Sequence, residues 1–155
     1  GNMKFMMNGA LTIGTDDGAN VEIRRFAGDS NFFLFGMSEP EVADLGAKGY
    51  EPGRYYEGDE RLRGAIDLIG SGHFSGGDRS TFGGIVTNFL TVDRFMALAD
   101  YAAYMDAQER VEEAYADTDT WTRMAVLNVA RSGYFSSDRS MRDYIQRIWG
   151  TPPAF

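Results

Sequence analysis

The sequence predicts an α/β fold in which two short strands near the N-terminus are followed by a mostly helical remainder. A β-prone segment at residues 10–14 (ALTIG) and a continuous apolar run at residues 31–36 (NFFLFG) flank a predicted helix over residues 19–27. Strand, helix and strand within about 25 residues form the compact βαβ pattern of a parallel sheet. Beyond residue 36 the strand signals stop, and apolar residues recur at helical spacing.

The elements at the front of the chain are bounded by glycines and turn residues. Residues 2–8 can form a short helix, and Gly9 suits the position after its end, where a positive φ costs glycine little. Residues 15–18 (TDDG) form a turn cluster, and Gly28 closes the next helix. Two strands are too few for a free-standing sheet, so we expect further strands from sequence upstream of Gly1.

The sequence after residue 36 predicts a series of helices. Ser38 and Glu41 have capping-box spacing at the start of a helix through Leu45 that ends near Gly46 and Gly49. Residues 121–131 are apolar nearly all round, which predicts deep burial. The final helix should stop at Gly150, Pro152 and Pro153. Helical apolar stripes are predicted from Leu62, Ala65, Ile66 and Ile69, from Phe82, Ile85, Val86, Phe89 and Leu90, from Tyr101, Tyr104, Met105 and Val111, and from Met141, Tyr144, Ile145, Ile148 and Trp149.

Composition excludes several classes of protein. The chain has 155 residues, of which 43% are hydrophobic, so a packed core is expected. Its formal net charge of −8 disfavours a nucleic-acid partner. The absence of cysteine excludes disulfides and thiolate metal sites. No apolar run reaches the roughly 18 residues of a membrane helix, and no signal peptide is evident, so we expect no membrane association and a cytoplasmic protein.

Lys4 is the residue with the most suggestive surroundings. It follows Gly1 and Asn2 and lies among the apolar residues Met3, Phe5, Met6 and Met7. A lysine in apolar surroundings suits Schiff-base chemistry with an aldehyde cofactor, and a glycine at a helix start offers N–H groups to a phosphate. Together these features indicate a pyridoxal-phosphate site. On the pattern alone, a solvated lysine is the simpler interpretation.

The segments GNMKF (1–5), MNGALTIGT (7–15) and DGANVEI (17–23) resemble the cofactor segment of the glycogen, starch and maltodextrin phosphorylases. The resemblance continues in order over essentially the whole chain and implies the C-terminal portion of a longer enzyme. It implies part of a Rossmann-like domain of the two-domain GT-B glycosyltransferase fold. Further matching segments are NFFLFG (31–36), GYEPGRYY (49–56), DRFMALADY (93–101), QERV (108–111), WTRM (121–124), SGYFSSDR (132–139) and IWG (148–150).

This resemblance implies an activity and two site residues. Such enzymes cleave terminal α-1,4-glucosidic bonds with inorganic phosphate and release glucose 1-phosphate. Pyridoxal phosphate is bound as an imine to the lysine of GNMKF, here Lys4, and Gly1 would lie at the helix N-terminus that approaches the cofactor phosphate. The family uses the cofactor's phosphate group to relay a proton, so the lysine serves as an anchor.

The same resemblance sets the organisation expected of the chain. Residues 1–155 would form a single domain or sub-domain, with a cofactor segment at 1–36 and a helical part at 37–155. The residues that hold sugar and substrate phosphate lie upstream in the family. We therefore expect the isolated chain to be inactive, to bind the cofactor weakly or not at all, and to self-associate through surfaces that face the missing N-terminal portion.

Other features favour structural roles. His73 is the only histidine and has no ligand cluster, so no metal site is expected. Asp17 is interpreted as a turn residue next to Asp16, and Ser136 as a helix cap. The alternative function is a non-catalytic helical interaction module that retains a phosphorylase-like sequence. The sequence immediately before Gly1 in the parent gene would discriminate the two.

Overall fold

The computed structural model describes residues 1–151. The chain divides into two compact units, of which the first comprises Gly1–Leu34 and the chain from Ala107 onward, and the second Phe35–Asp106. Pro152 and Pro153, predicted to stop the last helix, lie outside the described residues.

The first unit contains both strands of the described chain. They pair in parallel, with Thr12 opposite Phe32 and Gly14 opposite Leu34, which confirms the predicted βαβ arrangement. Each strand is three residues long. The second is shorter than the apolar run, because a 3₁₀ turn, Asp29–Asn31, includes its first residue and the strand ends at Leu34. The elements of this unit are α1 (Asn2–Met7), β1 (Thr12–Gly14), α2 (Ala19–Ala27), β2 (Phe32–Leu34), the second half of α7 (Ala97–Ala116), α8 (Thr118–Arg131), a 3₁₀ turn (Ser132–Phe135), α9 (Ser137–Asp143) and a π-helical turn (Tyr144–Trp149).

A small apolar cluster forms the centre of the first unit. Met6 of α1 and Ile23 and Ala27 of α2 are completely buried, and Phe32 of β2 is 5% exposed. Three elements of the first unit therefore each turn one face inward. This packing matters most for α1, because a helix of six residues is too short to be stable by itself.

The second unit is helical. Its cluster of buried residues consists of Leu62 and Ile66 from one helix and Leu98 from another, with tyrosines and aliphatic side chains packed around them. Its helices are α3 (Glu39–Lys48), α4 (Pro52–Gly58), α5 (Glu60–Gly70), α6 (Gly83–Thr91) and the first half of α7 (Ala97–Ala116).

Asp93 organises the start of α7. Its buried carboxylate accepts hydrogen bonds from the backbone N–H groups of Ala97 (3.0 Å) and Leu98 (2.8 Å). The Tyr50 hydroxyl donates to the same carboxylate at 2.6 Å. Asp93 adopts a φ of 34°, in a region that residues with a side chain rarely occupy. These three hydrogen bonds hold this backbone conformation and tie the loop after α3 to α7.

The capping box is confirmed. The Ser38 N–H donates to the Glu41 carboxylate at 2.7 Å, and the Ser38 hydroxyl donates to the same oxygen at 2.6 Å. These bonds lower the pKa of Glu41. The helix extends to Lys48 and Gly49 caps its end, as predicted.

Several predictions about burial are wrong, among them those for Ile85 and Tyr104, which are 50% and 37% exposed. In α8 only Met124 and Asn128 are buried, whereas Val126 is 60% and Val129 44% exposed, because the helix turns a single narrow face inward. Ala65 of α5 is exposed. The last stripe does not form one buried face. Residues 144–149 are wound as a π-helix, which abolishes the i, i+3, i+4 register, and Met141, Tyr144, Ile148 and Trp149 are exposed.

Met6 and Met7 test the role of the first cluster as a matched pair. Met6→Ala should lower the free energy of unfolding by about 2–5 kcal/mol, since Met6 is completely buried. Met7→Ala should change it by less than about 0.5 kcal/mol, because Met7 is 57% exposed. Urea unfolding followed by circular dichroism measures both. Equal losses would contradict this account of α1.

Tyr50 tests the hydrogen bonds around Asp93. Tyr50→Phe keeps the ring but removes the donor to the carboxylate, and should lower the unfolding free energy by about 1.5 kcal/mol. Tyr115→Phe is the control, because Tyr115 is 69% exposed and its hydroxyl has no partner among the described residues. Urea unfolding at neutral pH compares them, and a neutral result for both variants would argue against the Tyr50–Asp93 bond.

Tyr50 should also impart a pH dependence. Burial, followed by the hydrogen bond to Asp93, raises the pKa of Tyr50 above its usual value of 10.0. Because folding raises this pKa, the stabilisation is complete below about pH 10 and is lost as the pH rises through the folded-state pKa. The wild-type chain should therefore lose stability in this range more steeply than Tyr50→Phe.

Candidate functional site

Lys4 lies on the outer side of α1, the helix that Met6 anchors in the core. The flanking side chains are also outward: Met3 is 38%, Phe5 64% and Met7 57% exposed. The Lys4 side chain is exposed, and its amine has no hydrogen-bond or ion-pair partner among residues 1–151. Met3, Phe5 and Met7 therefore lie exposed beside Lys4 and only Met6 enters the core, so the predicted apolar surroundings do not enclose the lysine.

Gly1 occupies the N-cap of α1 and is next to Lys4 in space. Its carbonyl accepts the backbone N–H groups of Lys4 (3.0 Å) and Phe5 (3.1 Å). No side chain caps this end of the helix. The N–H groups of Asn2 and Met3 have no partner within the described residues, as is usual for the first turn of a helix.

Side-chain amides connect the start of α1 to the turn after β1. The Asn2 amide donates to Asn20 Oδ1 at 3.0 Å, and the Asn20 amide donates to the carbonyl of Thr15 at 3.0 Å. Gly14 lies directly against Asn20, since a Cβ at this position would lie 2.6 Å from Asn20 Nδ2. The glycine that ends β1 is thus needed for Asn20 to reach the turn.

A second set of contacts holds the other end of α1. The Asn8 amide donates to the Lys4 carbonyl at 2.8 Å, and Gly9 reverses the chain with a φ of 82°. The carbonyl of Ala10 accepts the amide of Asn128 at 3.1 Å. Asn128 is completely buried in α8, so this bond ties the loop between α1 and β1 to a distant part of the chain.

The turn that follows β1 carries charge. Arg24 pairs with Asp16 at 3.0 Å and with Asp29 at 2.7 Å, and the hydrogen bond to Asp29 is the main cause that raises the pKa of Arg24. Asp17 accepts the Thr15 hydroxyl at 2.7 Å, as expected of a turn residue. No group of three or more potential metal ligands exists within the described residues.

The remaining candidates have local structural contacts. His73 is exposed in a 3₁₀ turn, where its ring packs edge-on to Phe74 with a 4.9 Å centroid separation. The Ser136 hydroxyl accepts the N–H of Arg139 at 3.2 Å and caps α9, which confirms its predicted role.

The sequence predicts Lys4 and Gly1 as site residues but not the asparagines that contact the start of α1 and the loop after it. Asn20 and Asn128 are polar residues in helices that otherwise turn apolar side chains inward. That contrast was the available signal. It does not identify their partners, because Asn128 and Ala10 are 118 residues apart. Among residues 1–151, no helix combines the length and apolar character needed to cross a bilayer.

Comparisons with known proteins agree with these motifs. A family model described as carbohydrate phosphorylase matches residues 1–151. The chain is 53% identical over 153 residues to a glycogen phosphorylase of Synechocystis, and 50% identical over 153 residues to the muscle form of glycogen phosphorylase from Bos taurus. It is 47% identical over 154 residues to the human liver form.

Each alignment covers 99% of this chain but only 18% of the relative, so the chain spans less than a fifth of the length of these proteins. Because the family model covers almost every residue, and the identity is near one half throughout, the chain belongs to the carbohydrate phosphorylase family.

Proposed function

We propose that this chain is the pyridoxal-phosphate-anchoring, C-terminal part of an α-1,4-glucan phosphorylase. The whole enzyme would release glucose 1-phosphate from glycogen, starch or maltodextrin with inorganic phosphate, in the cytoplasm. Family membership and relatives named glycogen phosphorylase support this proposal. The two parallel strands would belong to a larger Rossmann-like sheet of a GT-B fold, completed by the upstream portion.

The observation that carries the proposal is the contrast between the two lysines of the chain. Lys48 donates to the carboxylate of Asp44 one helical turn away. Lys4 has no such partner among the described residues, and its helix is fixed by the completely buried Met6. A covalent anchor needs an accessible amine that no other side chain engages, on a helix that packing holds in place. Lys4 meets both requirements.

Gly1 is the second residue of the proposed site. It has no side chain to obstruct an approaching group, and the N–H groups of Asn2 and Met3 that follow it are unpartnered donors within the described residues. Unpaired N–H groups at a helix start suit a phosphate oxygen. These groups and the Lys4 amine belong to the same short helix, so they fit a cofactor that carries both an aldehyde and a phosphate.

The bound cofactor would supply a phosphate group that exchanges a proton with the substrate phosphate. The residues of this chain would hold the cofactor, and no residue here is assigned to the sugar or to the substrate phosphate. Lys4 is exposed within its own unit, so the rest of the pocket would come from the upstream portion of the enzyme. The isolated chain should therefore be inactive and should retain the cofactor poorly.

Chemical trapping tests the anchor. Pyridoxal phosphate added to the chain and reduced with borohydride should label Lys4 several-fold more than Lys48, because Lys48 is paired with Asp44. Peptide mapping by mass spectrometry measures the ratio. Lys4→Arg should remove the main label, whereas the control Lys48→Arg should leave it. Without borohydride reduction, the absorption band of the imine between pyridoxal phosphate and the lysine should disappear on dialysis. Preferential labelling of Lys48 would contradict the proposal.

A chimeric enzyme that carries this chain tests the proposed phosphorylase activity. The chain should replace the matching segment of the Synechocystis relative, with which it shares 53% identity, and the chimera should produce glucose 1-phosphate from glycogen and phosphate. Lys4→Ala should abolish this activity, and Lys48→Ala should leave it unchanged. The isolated chain should produce none. A folded chimera that is inactive, or one that tolerates Lys4→Ala, would count against the assignment.

A further inference from the structure

Within residues 1–151, one side-chain hydrogen bond joins the first turn of α1 to another element of the first unit. Asn20, the second residue of α2, accepts from the Asn2 amide and donates to the Thr15 carbonyl, both at 3.0 Å. Its own backbone N–H donates to the carbonyl of Asp17 at 3.0 Å. Asn20 therefore contacts the first turn of α1 and both ends of the turn between β1 and α2.

The orientation of the Asn20 amide is determined by its neighbours. The Thr15 carbonyl can only accept, so Nδ2 must face it and Oδ1 must face Asn2. Gly14 leaves the space that this orientation requires, because a Cβ there would lie 2.6 Å from Nδ2. A rotated amide would place two acceptors against each other at Thr15 and two donors against each other at Asn2.

The first turn of α1 has little other support. No side chain caps it, and its residues Gly1, Asn2 and Met3 are all exposed. The buried contact of Met6 and the Asn128–Ala10 bond act on the other half of the helix and the loop beyond it. Because Lys4 lies one residue after this turn, its backbone position depends on how well the turn is held.

We propose that Asn20 is a positioning residue that fixes the first turn of α1, and through it Lys4, against the turn after β1. The inference rests on the proposed function of Lys4 as the cofactor anchor. The hydrogen bonds of Asn20 to Asn2 and Thr15, called the clamp on α1 below, do not involve the cofactor. Their effect on the helix can therefore be measured without it.

Hydrogen exchange of individual backbone amides measures the clamp in the isolated chain. The N–H groups of Lys4 and Phe5 donate to the Gly1 carbonyl and report on this turn. Asn20→Ala should accelerate their exchange by roughly fivefold or more, as expected from the loss of hydrogen bonds of ordinary strength. Asn20→Asp keeps the acceptor for Asn2 but loses the donor to Thr15, so its effect should be smaller. Asn88→Ala is the matched control, since Asn88 is exposed in α6.

The exchange rates distinguish a local effect of Asn20 on α1 from an effect on the whole fold. Unchanged exchange at Lys4 and Phe5 in Asn20→Ala would overturn the clamp. Equal acceleration at the buried Ile23 would also overturn it, because Asn20 would then act on the whole fold. If Asn20→Ala does not fold, Asn2→Ala removes the same contact from an exposed position and should reproduce the local acceleration.

The chimera links the clamp to the cofactor. Asn20→Ala should lower kcat and speed the loss of cofactor on dialysis while the KM for glycogen stays unchanged, since Asn20 is placed away from substrate groups. Asn20→Asp should restore part of kcat. A changed KM with an unchanged kcat would overturn the positioning role. Failure of wild-type Lys4 to take the borohydride label would instead refute the anchor and leave the exchange result standing.

Discussion

The burial of Met6 is the contact on which the first unit depends. A six-residue helix gains too few hydrogen bonds to offset the cost of forming its first turn, so α1 exists because one of its faces enters the core. Ile23, Ala27 and Phe32 complete that core from α2 and β2. The same burial orients Lys4 outward. A single packing contact therefore stabilises the fold and determines which side of the helix carries the candidate anchor.

Side-chain hydrogen bonds to backbone groups complete this arrangement. The carbonyl at the end of α2, that of Ala27, accepts from Asn31 at 2.7 Å and from Arg131 of α8. The carbonyl of Leu34, at the end of β2, accepts from Arg110 at 2.6 Å. Strands of three residues have few ladder bonds of their own. Polar side chains from α7 and α8 therefore satisfy backbone groups that a wider sheet would pair.

The exposed apolar side chains of the first unit agree with the proposed place of this chain in a larger enzyme. Phe5 and Met7 of α1 and Val126 of α8 are each more than half exposed, as are Ile148 and Trp149 near the end of the described chain. Such side chains are costly to leave in water when they form patches. In the proposed enzyme, the upstream portion would cover them and would complete the surroundings of Lys4.

Local patterns in the sequence determined the order and type of the elements. The βαβ unit, the capping box of Ser38 and Glu41 and the turn at Asp17 could each be predicted because their signals lie within a few residues of one another. The motif around Lys4 likewise pointed to the candidate anchor. A local pattern cannot reveal which face of an apolar segment is covered, so the exposure of Val126 and the π-helical winding at Tyr144–Trp149 were missed.

Only the tertiary structure decided how the candidate site is held. Asn20 meets Asn2 across 18 residues and Asn128 meets Ala10 across 118, and nothing in the spacing of these residues identifies the pairs. The left-handed backbone of Asp93 likewise depends on Tyr50, 43 residues earlier. Hydrogen bonds of this kind form only after the chain has folded back on itself. The sequence by itself therefore determined that Lys4 is carried on a short helix, and the packing of distant residues decided where that helix lies.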